Sequence, residues 1–216
     1  MNPVAQHLLL FTRYPSPGQA KTRLIPALGP QGAADLHQAL TEHTLLQVQA
    51  LQQTTPMALN IYFDGPSLAH MQAWLGPNLT YCPQGPGDLG ARMSQAFQAA
   101  FGAGADHVVI IGTDCPGLTT DLLREAFQRL GDDDVVLGSA EDGGYYLLGL
   151  GQFIPELFQD IAWGSHLVYQ QTCQKIVQKA WRYATLPCLA DIDRPEDLIH
   201  LPPVLGKTGH GIMEGP

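Results

Sequence analysis

Charge is scarce in this chain, and basic charge scarcer still. Of 216 residues only 14% are Asp, Glu, Lys or Arg, and 11 Lys and Arg stand against 20 Asp and Glu, for a formal net charge of -9. A broad nucleic-acid-binding face needs clustered basic residues to displace counterions, so the composition argues against one. No run approaches 18 consecutive apolar residues, which leaves no candidate membrane span. The opening MNPVAQHLLLFTRYP lacks both a basic leading region and a small-residue cleavage site, so a cytoplasmic location is expected. Four cysteines (Cys82, Cys115, Cys173 and Cys188) form no CxxC and no regular spacing. They read as buried or partly buried thiols rather than as a disulfide framework or a structural zinc site. The common nucleotide fingerprints are missing too. There is no GxGxxG; GQAKT lacks the glycine that a P-loop sets before its lysine, and LGKTG has Leu201 where that motif must begin with glycine.

What the chain does have is 45% hydrophobic residues, enough to bury one sizeable core, together with 23 Gly and 17 Pro, which point to many tight connections. A single domain is expected over residues 1–200, followed by a tail, 201–216, without convincing periodicity and expected to be partly disordered. HLLLFT (7–12) reads as a buried strand. Positions 33, 36, 40, 44, 48 and 51 then carry Ala, Leu, Leu, Thr, Val and Leu at helical spacing. LNIYF (59–63) reads as a strand, 88–101 as a helix and HVVIIG (107–112) as a strand. A helix (TDLLREAFQRL), two strands (DVVLGS and GYYLLGL), a helix over 165–180, a strand over 181–187 and a short helix at RPEDLIH complete the series. No internal repeat is visible. Alternation of this kind predicts an α/β domain with a mostly parallel sheet covered on both faces.

Four stretches can carry chemistry. RYPSPGQAKTRL follows the first strand, where ligands bind in open α/β sheets, and brings Arg13, Gly18, Lys21 and Arg23 together before the first carboxylate, Asp35. A turn that Gly18 lets approach an anion, with an ammonium and a guanidinium beside it, suits the phosphates of a nucleotide. GTDCPG ends the strand at 107–112 and places Asp114 at the same crevice, where a carboxylate can hold a divalent cation or cap the local turn. Asp191 and Asp193 alternate on an extended segment in LADIDRPEDL, so either can complete a magnesium site begun by Asp114, and Asp193 can instead cap the short helix. Between them, AEDGG offers Glu141 and Asp142 to contact an acceptor hydroxyl or accept its proton, with Gly143 and Gly144 for close backbone approach or a plain hairpin turn. The glycines Gly85, Gly87 and Gly90 of CPQGPGDLGARM can receive a nucleobase or ribose. His166 is an acceptor-side candidate or else a local cap or surface histidine, and Trp163 can line a pocket or pack partly buried.

Taken together, FTRYPSPGQAKTRL, GDLGARM, VVIIGTDCPGL, LGSAEDGGYYLLGL and DIDRPEDL resemble the bacterial DUF2064 family, also described as radical-SAM/selenodomain-associated transferase 1, of the GT-A nucleotide-diphospho-sugar transferase superfamily. The resemblance implies one Rossmann-like GT-A domain with a mixed sheet and a nucleotide on its amino-terminal half. It implies Lys21 and Arg23 on the donor's phosphates, Gly85 to Gly90 beside the nucleoside, Mg2+ or Mn2+ on Asp114 with Asp193 as partner, and Glu141 to Gly144 facing the acceptor. AKTRL is similar to the corresponding loop of guanylyltransferases that activate phospholactate or phosphoenolpyruvate, which tilts the expected reaction toward nucleotidyl transfer from a nucleoside triphosphate. Glycosyl transfer from a nucleotide sugar and a non-catalytic nucleotide-binding module are the alternatives. The chain departs from the family patterns in two places: it lacks the glycine-rich LxxGxGxRM opening of nucleotidyltransferases, and GTDCP replaces the DxD of glycosyltransferases.

Overall fold

The computed structural model describes residues 5–206. Its first strand, β1 (Gln6–Arg13), shows why the chain opens on an unbroken apolar run. Leu8 and Leu10 face one side of the sheet, Leu9 and Phe11 the other, and all four are buried. A strand covered on both faces has no polar side to alternate with.

The rest follows in order as α1 (Ile25–Gln52), β2 (Ala58–Asp64), α2 (Leu68–Leu75), β3 (Thr80–Pro83), α3 (Leu89–Gly102), β4 (His107–Ile111), α4 (Thr120–Arg129), β5 (Val135–Ala140), β6 (Tyr145–Leu150), α5 (Val168–Gln178) and β7 (Tyr183–Leu189). The seven strands form one sheet in the order β3-β2-β1-β4-β6-β5-β7. All neighbours pair parallel except β6, which runs antiparallel to both β4 and β5. This is a single Rossmann-like α/β domain with a mostly parallel, mixed sheet between helices. Leu45, Val48 and Leu51 of α1, Met71 of α2 and Phe127 of α4 cover one face; Met93 and Phe97 of α3 and Ile176 of α5 cover the other.

Two consequences of the topology place the site. Chain progression reverses between β1 and β4, so their carboxyl ends open onto the crevice where ligands bind in such sheets. The reversed β6 starts at that same end: Ile111 is opposite Leu147, and the Gly112 N–H donates to the Tyr146 carbonyl at 3.0 Å.

Several element bounds differ from the sequence expectation. The first helix begins at Ile25, not Ala33, as a turn that breaks at Gly29 (φ 69°) and restarts at Pro30, where a proline at the first helical position costs nothing. α2 and β3 were not anticipated. Only Met71 of α2 is buried, and β3 is a four-residue edge strand ending in Pro83, so neither carries a readable period. The last strand runs two residues later than expected and the helix before it is shorter. RPEDLIH forms a 3-10 helix, Pro195–His200. Of the tail, Pro203–Gly206 is a helical turn whose Leu205 is buried with Leu24, Leu36, Leu40 and Ile192; residues 207–216 lie outside the described part. That small cluster ties the loop after β1, the helix α1 and the segment after β7 into one support.

Candidate functional site

The carboxyl ends of β1, β2 and β4 and the amino end of β6 border an open cleft of about 1040 Å3. Its floor is built on the loop after β1. Lys21 there adopts a left-handed conformation (φ 48°, ψ 46°), uncommon for a residue with a side chain and costing on the order of 1 kcal/mol. The side chain explains why it is tolerated. Its ammonium lies 2.7 Å from Asp114 Oδ1 and donates to the Ile192 carbonyl at 2.5 Å, joining the ends of three separate chain segments. Ile192 in turn donates its N–H to the Asp114 carbonyl at 2.9 Å. Lys21 is 4% exposed at its side chain and Asp114 50%, so the lysine is spent on holding the carboxylate and the carboxylate looks into the cleft. Burial among the cleft walls pushes the Asp114 carboxyl up, but Lys21 beside it, with a smaller contribution from Arg13, outweighs this and holds it below the ordinary value. Asp114 is therefore ionised at neutral pH.

Around this pair the cations are ordered by carboxylates and carbonyls. Arg23 pairs with Asp193. Arg13 reaches Asp64 at 3.1 Å and donates to the Gln19 carbonyl at 3.2 Å, while Arg92 approaches Asp64 at 3.7 Å. Buried His37, on α1, donates Nε2–H to the Arg13 carbonyl at 2.9 Å, which assigns its tautomer. Burial lowers its pKa against the pull of Asp114, so it serves as a neutral prop under the loop. On the β2 side Gln84 donates to the carbonyls of Thr12 (3.0 Å) and Tyr62 (3.1 Å) and accepts from Arg92 (3.3 Å).

The opposite wall comes from the β5–β6 hairpin and the segment after β7. Asp142 Oδ1 accepts the Gly144 N–H at 2.7 Å, shaping the hairpin tip. Gly143 (φ 88°) approaches the 162–168 loop so closely that a Cβ would lie 2.1 Å from the His166 carbonyl oxygen, and its own carbonyl accepts from the Tyr169 N–H at 2.9 Å. Gly90 plays the same part on the other side: a Cβ there would lie 2.1 Å from Trp163 Nε1. The two glycines let one loop span the cleft, with Trp163 meeting Tyr145 edge to face at 6.4 Å between ring centroids. Asp191 stands near Asp142 and Asp197, and burial together with those charges pushes its carboxyl up to about 6. Buried Cys115 is pushed up by burial and by Asp114 and Asp191, so it is an inert thiol at neutral pH.

The residues anticipated from the sequence are thus brought together in large part. Arg13, Lys21, Arg23, Asp114, Glu141, Asp142, Gly144, Asp191, Asp193, Trp163 and His166 all line the cleft. Gly18, Gly85, Gly87, Gly90 and Gly143 do not; Gln19, Gln84 and Leu89 supply wall where the glycines were expected, and Gly90 and Gly143 act by seating the spanning loop. Asp193 does not cap the short helix. Asp197 does so, reaching back to the N–H groups of Asp193 (3.0 Å) and Arg194 (2.6 Å). His37, Asp64, Gln84, Arg194 and Asp197 line the cleft without having been singled out. His37 stood on the apolar stripe of its helix, and Asp64 ends a strand as Asp114 follows one; both clues were readable.

The family model of an uncharacterised protein conserved in bacteria, DUF2064, matches residues 46–165, more than half of the chain. The chain belongs to the DUF2064 family. A candidate nucleotide-diphospho-sugar transferase from Desulfovibrio desulfuricans G20 superposes with a TM-score of 0.86 at 34% identity, over 94% of this chain and 88% of that one. This DUF2064 chain thereby has the GT-A-like fold. At fold level alone it is also similar to a nucleotidyl transferase from Methanothermobacter thermautotroptrophicus (TM-score 0.61, 14% identity, 95% and 99% covered). A glucosyl-3-phosphoglycerate synthase from Mycobacterium tuberculosis, in complex with Mn2+, UDP and glucosyl-3-phosphoglycerate, gives 0.56 at 10% identity, with 91% and 75% covered. No curated protein sequence matches the chain.

Among the described residues no group of three or more His, Cys, Asp or Glu is arranged to hold a metal ion. Magnesium bound between one or two protein carboxylates and substrate phosphates needs no such group. Asp114, ionised and half exposed at the strand end, fits that donor set, and Asp193, although engaged by Arg23, lines the same cleft.

Proposed function

We propose that the protein is a divalent-metal-dependent transferase that moves a nucleotidyl group from a nucleoside triphosphate to a small acceptor. The observation that carries this reading is the Lys21–Asp114 pair, fixed at the floor of the cleft by the Ile192 carbonyl. A cation and an ionised carboxylate held rigid at the β1/β4 switch point form a seat for a phosphate chain and its metal ion. The charge of the whole cleft supports the requirement for metal. Seven carboxylates line it (Asp64, Asp114, Glu141, Asp142, Asp191, Asp193 and Asp197) against four cations, Arg13, Lys21, Arg23 and Arg194. A polyphosphate entering such a lining alone would meet net repulsion, so it enters with Mg2+ or Mn2+. When bound, the ion neutralises charge developing on the phosphates; Asp114 would hold it, with Asp193 as partner once Arg23 turns to the donor.

The chain's own residues do the rest. Lys21 orients Asp114 and adds positive potential beneath the phosphates, and Arg23 offers a planar fork to their oxygens. His37 and the Arg13–Asp64 pair hold the loop in place before substrate arrives, so that only the Arg23 side chain has to turn and the rest of the floor is set before charge moves onto the leaving pyrophosphate. Glu141 and Asp142, on the hairpin tip, face the acceptor.

A thermal-shift screen of the purified chain against the four nucleoside triphosphates and UDP-, GDP- and TDP-sugars, each with and without Mg2+ or Mn2+, tests the proposal, because a ligand that binds only the folded state raises Tm. A metal-dependent rise with a triphosphate, followed by pyrophosphate release with an acceptor, is expected. A rise confined to a nucleotide sugar would replace nucleotidyl with glycosyl transfer. Binding without turnover under any pairing would make the protein a nucleotide-binding module.

A further inference from the structure

The β5–β6 hairpin tip and the segment after β7 line the cleft with charge mostly of one sign. From the hairpin tip and the segment after β7 come Glu141, Asp142, Asp191, Asp193 and Asp197, against Arg194 alone. Asp193 is engaged by Arg23, and Asp197 is occupied by two backbone N–H groups. Among the described residues, no Lys or Arg forms an ion pair with Glu141, Asp142 or Asp191. Asp142 accepts one backbone N–H, and among the described residues no hydrogen bond engages the Glu141 side chain. The same wall adds the rings of Tyr145 and Trp163. Such a surface repels a phosphate ester, since like charges set against one another across an interface are strongly unfavourable. It accepts hydroxyls, whose hydrogens the carboxylates bind, and ammonium groups, which carboxylates and aromatic faces both attract.

The chemistry of attack points the same way. A phosphate oxygen is already ionised at neutral pH and needs no base, whereas a hydroxyl must lose its proton as it attacks. A carboxylate left without a partner is suited to take that proton.

Resting on the transferase reading above, we propose that the acceptor is a neutral or positively charged hydroxyl compound, and that Glu141, Asp142 and Asp191 exclude its phosphorylated counterpart. The acceptor oxygen forms a bond to the α-phosphorus of the donor while the bond from that phosphorus to the α–β bridging oxygen breaks. The electron pair leaves with pyrophosphate, and the hydroxyl proton passes to Glu141 and from there to water.

The test compares matched pairs, glycerol with glycerol 3-phosphate, glucose with glucose 6-phosphate and ethanolamine with phosphoethanolamine. Each is combined with Mg2+ and the triphosphate that raises Tm, and pyrophosphate release and acceptor-dependent thermal shift are read. The unphosphorylated members are expected to be preferred by at least ~10-fold. The double variant Glu141→Gln, Asp142→Asn should retain the donor-induced shift and narrow the ratio within each pair to about threefold or less. Because the ratio is read, an overall loss of rate does not obscure it. Preference for the phosphate esters, or a donor that binds while neither member of any pair acts or binds, overturns the inference and leaves the transferase reading standing. Failure of every donor to bind removes both.

Discussion

The two sides of the cleft solve opposite electrostatic problems. On the β1 side, each cation of the loop has a partner in place: Lys21 with Asp114, Arg23 with Asp193, Arg13 with Asp64. On the β6 side, three carboxylates form no ion pair among the described residues, and burial, with the charges of Asp142 and Asp197, raises the Asp191 carboxyl. The first side is set before a ligand arrives, with Arg23 alone left to turn to the donor; the second is left incomplete and favours whatever brings positive charge or hydroxyl hydrogens. A preorganised surface spends its stability on catalysis in advance, and an unfinished one spends it on selectivity.

Breaking the finished side should have the largest effect. Lys21→Ala removes the cation under Asp114, and pyrophosphate release is expected to fall ~100- to 1000-fold, the range seen when one electrostatic donor of a preorganised site is lost. A loss under tenfold in steady-state assays would mean that the pair is only structural. On the opposite side, Gly143→Ala strains a residue at φ 88° and drives a methyl into the His166 carbonyl. Chemical denaturation should show ~2 kcal/mol of lost stability, with donor-induced thermal shift preserved if the sides are as separable as they look.

A subtler change sharpens the contrast. Because the Asp191 carboxyl is pushed up to about 6 in the folded chain, above its unfolded value, its favourable contribution is present in full below about pH 4 and is lost as pH rises through 6. Asp191→Asn should therefore match the parent at pH 4 and exceed it by ~1 kcal/mol at pH 7.5, a figure reduced for the group's contact with solvent. Equal melting temperatures at both pH values would show that the crowding is relieved by other means. The smallest effect belongs to Arg13→Ala, whose pair with Asp64 is about half exposed on both partners and should be worth under ~0.5 kcal/mol by denaturation.

The sequence made the sheet legible wherever a strand is buried on both faces or lies beside a strongly periodic helix: β1, β4, α3 and α4 fall where they were expected. It hid α2 and β3, which bury too little to show a period, and the break at Gly29, which depends on a local backbone angle. The site was legible at strand ends, as with Asp114, and on the first loop. Its supports were not. Gln84, Arg92 and Asp64 meet only because β2 and β3 lie side by side, and the seating of Trp163 on Gly90 joins residues more than seventy positions apart. Gly90, expected beside the nucleoside, also gives clearance to Trp163, a role that depends on what the folded chain places against it.

The reversal of β6 has a further consequence. A parallel strand delivers its loop to the cleft by way of a helix on the far side of the sheet, so changing that loop disturbs two layers. The β5–β6 tip is instead carried on two stems that hold each other by their own ladder. Residues 140–145 therefore behave as a removable cassette. A tip grafted from a relative should transplant acceptor preference while the phosphate-binding floor keeps its shape, provided the graft retains a glycine where Gly143 meets the spanning loop.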